Sequence, residues 1–187
     1  MPTMNPMIQT LDSLEVIPHG KGDSIDADTT SEGVVTRVGE RVLLACADEI
    51  PLFLAVRGKA LIGIVASLED ILNESVLASI KKAIASLALN GQDFEAILGP
   101  SLTFSHVPVS KELLQATFDR GYRLGTKGTS GQTFLDPQMI LFQQLRGLGI
   151  SPEHILISDY DTFENPSLLY SALAGDKEKN VFEGILR

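Results

Sequence analysis

The side chains in this sequence that could do chemistry are few, and most are carboxylates. Glu49, Glu69, Asp70 and Asp161 could converge as an oxygen-rich cluster able to hold Mg²⁺ or Ca²⁺, cations that prefer carboxylate and carbonyl ligands. Solvated surface acids would explain the same four residues. Asp48 follows an apolar run and reads as a turn residue that satisfies backbone N–H groups after a strand. The chain's single cysteine, Cys46, sits inside that run, where a buried small hydrophobe is expected rather than a nucleophile. His19, His106 and His154 are scattered, without an i,i+4 pair or an adjacent acid at ligand spacing, and are expected in loops or at the surface. His106 is the least ordinary of them, and its pairing with Cys46 stays open. Gly121 to Gly131 contains Gly125, Lys127 and Gly128 but not the spacing of a phosphate-binding loop, so a flexible connection is expected there.

Composition narrows the classes of function. The 187 residues fit one domain, 1–187, with a shortened and partly irregular segment over 1–31, and 44% hydrophobic residues suffice for a folded core. Fifteen basic residues against 24 acidic ones give a net charge of −9, so the average field repels phosphate backbones and anionic membranes. Neither nucleic acid nor a membrane is an expected partner. One cysteine permits no internal disulfide, and no apolar run or basic leader marks a span or a signal peptide, so a cytoplasmic protein is expected.

The elements that must position these residues follow from hydrophobic periodicity. A weak strand over Met7–Ile17 and a polar turn-rich stretch over Pro18–Glu32 come first. Val34–Val38, Val42–Cys46, Leu52–Val56 and Ala60–Ala66 read as strands buried on at least one face. Leu72, Val76, Ile80, Ile84 and Leu87 predict a helix over about Glu69–Leu89 with a left-handed stop at Asn90-Gly91. A strand at Ala96–Leu98, a helix N-capped by Ser110 and a helix starting at Asp136-Pro137 follow, with strands at Ile155–Ser158 and Val181–Leu186. The order predicts a mixed α+β fold, with mixed β-sheets packed between helices.

Several segments then resemble the YfiH-type polyphenol oxidoreductase and purine nucleoside phosphorylase family. GERVLLACADEIPLFLA from Gly39 resembles the stretch ending in Ala-Asp-Cys-x-Pro, with Ala47, Asp48 and Pro51 matching and Glu49 in the cysteine position. ALIGIVASLED resembles the Val-His-Ala-Gly-Trp-Arg-Gly segment, with Val65 for histidine, Leu68 for tryptophan and Glu69 for arginine. ILGPSLTFSHVPV keeps Gly99, Pro100 and Val109, with Val107 where tyrosine is usual. FLDPQMILFQQLRGLGI keeps Leu135, Asp136, Gln144, Leu145 and Gly149, and near the end Thr162 and Ser171 match while Asp161 replaces a cysteine. The likeness extends over roughly Glu32 to Ile185.

The resemblance implies a zinc-type site of two histidines and a cysteine, and phosphorolytic or oxidative chemistry on small purine or aromatic substrates. Such a site needs nitrogen and sulfur donors with one open position. This chain offers Glu49 and Val65 at two of those positions, and only Gln9 near Thr10 where the third histidine would be. No zinc or other cofactor is expected, and no catalytic residue is assigned. Asp48, Glu49, Val65, Ser67, Glu69, Asp161 and Thr162 are the candidates for a vestigial pocket. The favoured expectation is an inactive homologue that acts by binding a small molecule or a protein partner, a second copy of itself included. One alternative is retention of the family's activity with displaced ligands. Another is a carboxylate-based enzyme or hard-cation binder using Glu49, Glu69 and Asp161.

Overall fold

The computed structural model describes residues 7–21, 32–123, 126–129 (backbone only) and 131–187. In chain order its strands and helices are β1 (Gln9–Thr10), β2 (Leu14–His19), β3 (Gly33–Val35), β4 (Arg41–Cys46), β5 (Ile50–Val56), β6 (Ala60–Ala66), α1 (Leu68–Leu72), α2 (Ser75–Ser86), β7 (Glu95–Leu98), β8 (Pro108–Val109), α3 (Lys111–Asp119), β9 (Thr126–Thr129), β10 (Gln132–Leu135), α4 (Pro137–Gly147), β11 (Ile155–Ile157) and β12 (Asn180–Leu186). They form a four-stranded sheet in the order β1-β2-β12-β4, a five-stranded sheet β11-β7-β5-β6-β3 and a small sheet β8-β10-β9.

The layering follows from β5. Its sequence, IPLFLAV, carries no polar side chain, and such a run is stable as a strand only when both of its faces are covered. All seven of its residues are buried. Phe53 and Ala55 point toward the four-stranded sheet and meet Leu14, Val16, Val42, Leu44, Phe182 and Leu186. Leu52, Leu54 and Val56 point the other way, into a core with Ile71, Val76, Ile80, Ile140, Leu141 and Leu145 of the helices. The five-stranded sheet is thus a middle layer, with a sheet on one side and α1, α2 and α4 on the other. Each fully buried Leu, Ile or Phe side chain contributes about 1.5–3 kcal/mol relative to exposure. Where the two sheets approach most closely the sequence has glycine: a Cβ at Gly184 would overlap the Phe53 ring.

Most expected elements are present, and the differences have local causes. The helix expected over Glu69–Leu89 is two helices, broken where Asn73 Oδ1 accepts the Ser75 N–H at 2.9 Å and Glu74 turns left-handed at φ 63°. The apolar periodicity runs straight across that break and so hides it. The left-handed stop falls on Ala88 (φ 52°) rather than on Asn90-Gly91. Asn90 instead caps a 3-10 turn over Gly91–Asp93, and Gly91 is needed because a Cβ there would overlap the Leu148 carbonyl. The strand expected at Val34–Val38 ends at Val35, since the Glu40 carboxylate accepts the Thr36 and Arg37 N–H groups and turns the chain.

The weak N-terminal strand is a β1–β2 hairpin, and Pro18 and His19 belong to β2 rather than to a loop. The rest of the polar stretch, 22–31, lies outside the described residues. In the glycine-rich segment, β9 pairs with β10 where a flexible connection was expected, while 124, 125 and 130 lie outside the described residues. Ser110 and Asp136 cap α3 and α4 as expected, accepting the Leu113 and Met139 N–H groups. Among the described residues no helix is long and apolar enough to cross a membrane.

Candidate functional site

The chain passes from the four-stranded to the five-stranded sheet through the bend Ala47-Asp48-Glu49, between β4 and β5. Buried Asn180, at the start of β12, fixes this bend by donating its side-chain N–H to the Ala47 carbonyl at 3.2 Å. Asp48 then gathers three loops. Its carboxylate accepts the Thr162 hydroxyl at 2.7 Å and the Leu173 N–H at 2.8 Å, and its carbonyl accepts the Leu102 N–H at 3.2 Å. Glu49 folds back to accept the Ala47 N–H at 3.1 Å.

Next to Thr162, Asp161 is buried to 2% exposure and forms the densest polar cluster of the described residues. One oxygen accepts the Thr103 hydroxyl (2.6 Å), the Thr103 N–H (2.8 Å) and pairs with His106 Nδ1 (2.9 Å); the other accepts the N–H groups of Phe163 and Glu164. Burial alone would push its carboxyl up, but the Thr103, His106 and Glu164 donors outweigh that and hold it below the usual carboxylate range. His106 is therefore neither a free loop histidine nor a partner of Cys46; its ring also lies 4.8 Å from that of Phe163. Likewise His19 lies in a strand and bonds Glu183 at 3.1 Å, while His154 is exposed as expected.

Beside the bend lies a cavity of about 280 Å³. Asp48 and Glu49 form its polar side, and Ile50, Ala66, Leu68, Leu102, Val107 and Pro137 form the rest. A second, polar cleft at the far end of β5 is lined by Arg57, Glu95, His154 and Arg187 among others.

The expected pocket residues thus divide. Asp48 and Glu49 line the cavity, and Thr162 holds Asp48 in place. Asp161 belongs to the adjoining cluster with Thr103 and His106. Val65, half-buried, packs against the core between the sheets, while its neighbour Ala66 faces the cavity, because successive side chains of a strand alternate. Ser67 caps α1, accepting the Asp70 N–H at 3.1 Å and donating to its carboxylate at 2.5 Å. Glu69 is exposed in the first turn of α1 and lies outside the lining. Among the described residues Glu49, Glu69, Asp70 and Asp161 are not grouped as cation ligands; Asp70 is held by Ser67 and Ser75 and Asp161 by Thr103 and His106. Of the cavity's apolar walls, the resemblance singles out Leu68 and Val107, while Leu102 and Pro137 carry no chemical signal that would place them there.

The donor set does not fit a transition-metal centre of the expected kind. Cys46 is 1% exposed, donates to the Glu49 carbonyl at 3.4 Å, and burial followed by the Glu49 charge pushes its thiol well up, so a ligating thiolate is disfavoured. Val65 presents only methyl groups, and the histidines stand apart on different partners. Among the described residues no three His, Cys, Asp or Glu side chains are grouped as metal ligands.

The three-layer scaffold and its bend define a mixed α+β protein with a cavity at one end of its central strand and a polar cleft at the other. A family model, that of the multi-copper polyphenol oxidoreductase laccases, matches residues 9–181, and the chain belongs to that family. Its fold is that of the YfiH-type proteins: the hypothetical protein YfiH of Bacillus licheniformis superposes with a TM-score of 0.71 at 17% identity, over 82% of this chain and 60% of that one. YlmD of Geobacillus stearothermophilus gives 0.69 at 18% identity with the same coverage. A Neisseria meningitidis protein gives 0.66 at 17%, over 78% of this chain and 60% of that one. The chain spans about 60% of the length of these structures. No curated protein matches it.

Proposed function

We propose that this chain is a family member that works by binding a small molecule in the cavity beside Asp48 and Glu49, without the metal chemistry of the family. One observation carries this: the positions where the resemblance expects cysteine and histidine hold Glu49, tied to the Ala47 N–H, and Val65, a half-buried aliphatic packed against the core between the sheets. The bend and loops around the cavity are bonded through Asp48 and Asn180, so the cavity is held in shape by hydrogen bonds that need no metal. A cytoplasmic location suits this reading, with Cys46 kept as a reduced, buried thiol.

The test is elemental analysis of the purified protein together with assays of adenosine and inosine phosphorolysis and of polyphenol oxidation. Less than one tenth of an equivalent of zinc or copper, on the order expected for a chain without a closed donor set, and no turnover are the expected outcome. Family membership favours the competing reading of an active oxidoreductase or phosphorylase. Stoichiometric metal with turnover would establish that reading and remove ours.

A further inference from the structure

We propose that the cavity selects an organic cation: a small amine in its ammonium form, its apolar body against Ala66, Leu102 and Val107 and its nitrogen at Glu49 and Asp48. This rests on the cavity being a binding site and adds what it binds. The lining residues are aliphatic apart from Asp48 and Glu49, and none is Lys, Arg or His. Asp48 takes one donor on each oxygen, Thr162 and Leu173, which fixes the group as an acceptor with lone pairs to spare. Glu49 accepts Ala47 N–H through one oxygen, and its other oxygen has no protein donor among the described residues. A ligand N⁺–H would supply it, and charge-assisted hydrogen bonds of this kind are about twice as strong as neutral ones.

The competing preference, for an anion, is met by the chain itself. α4 begins at the cavity wall with Pro137, which has no N–H, and the next two N–H groups, of Gln138 and Met139, face the Asp136 carboxylate, Met139 at 3.1 Å. An incoming carboxylate or phosphate would meet Asp48 and Glu49 with no cation in the lining to offset them. The volume, about 280 Å³, is that of about nine water molecules in the liquid, which bounds the ligand to a small ring or short chain bearing the amine.

Three probes of one shape separate the possibilities: 2-phenylethylamine, 2-phenylethanol and 3-phenylpropanoate, titrated into ¹⁵N-labelled protein at low salt while the Ala66 and Leu102 amides are followed. The amine is expected to bind about tenfold more tightly than the alcohol, with the carboxylate weakest. Glu49→Gln, which keeps the acceptor for Ala47 N–H and removes the charge, should weaken the amine about five- to tenfold and leave the alcohol within about twofold. Leu102→Trp, at a half-buried wall position, should abolish all three while the rest of the spectrum stays folded. Equal or tighter binding of the alcohol or the carboxylate would overturn the cation preference and leave the cavity as a binding site. An amine preference that Glu49→Gln does not change would overturn the role of Glu49. Failure of all three probes to shift the cavity amides would overturn the binding function together with the ligand class.

Discussion

At the scale of single residues, Asp161 is the most constrained group of the described chain. Five donor groups from Thr103, His106, Phe163 and Glu164 converge on it at 2% exposure. Asp161→Asn keeps one acceptor oxygen but turns an NH₂ toward donors, and leaving buried donors unsatisfied costs about 1–3 kcal/mol each. A loss of about 2–4 kcal/mol in urea unfolding at neutral pH is expected. Because the folded-state carboxyl is held below its unfolded value, its contribution is present above the unfolded pKa near 4 and is lost as pH falls through the folded value. The gap between wild type and Asp161→Asn should therefore narrow below about pH 4, and a gap independent of pH would contradict the charged network. None of this was legible from sequence. His106 and Asp161 are 55 positions apart, and nothing in a linear pattern pairs them.

Elements were more legible, because apolar spacing records which faces are buried. The β5 and β6 runs, the Ser110 and Asp136 caps and the final strand could all be read from residue types, since each depends on neighbours within a few positions. What could not be read were features set by backbone geometry: the break at Glu74, the stop at Ala88 and the β9–β10 hairpin. Ala88 offers a direct check. It is exposed, and an L-residue in the left-handed region costs about 1–2 kcal/mol. Ala88→Gly relieves that cost at the expense of a more flexible unfolded chain, so a net gain of about 0.5–1 kcal/mol is expected in denaturant unfolding. Destabilisation of similar size would mean that Ala88 does not terminate α2 in this way.

For the whole molecule, the two cores share one strand. Phe53 and Ala55 belong to the core between the sheets, and Leu52, Leu54 and Val56 to the core beneath the helices, so neither can come apart while β5 stays in place. The chain has no tryptophan and three tyrosines, two of which report on opposite sides: Tyr122 bonds Glu74 and Gln144 near the helices, and the Tyr170 backbone bonds Asn180 of β12, while Tyr160 lies between them in sequence. With Tyr160 also replaced by Phe, unfolding followed by fluorescence in Tyr122→Phe and in Tyr170→Phe should give coincident curves, each normalised to its own stability, that overlay far-UV circular dichroism. Separate transitions would show two independent units. The same strand has a consequence for isotope labelling. Hydrogen-bonded to β6 on one side and β7 on the other and buried throughout, β5 has no route by which solvent reaches its amides short of opening the entire protein. Apart from Pro51, which carries no amide hydrogen, its positions should be the slowest to take up deuterium in native buffer, and their exchange rate is a readout of global stability.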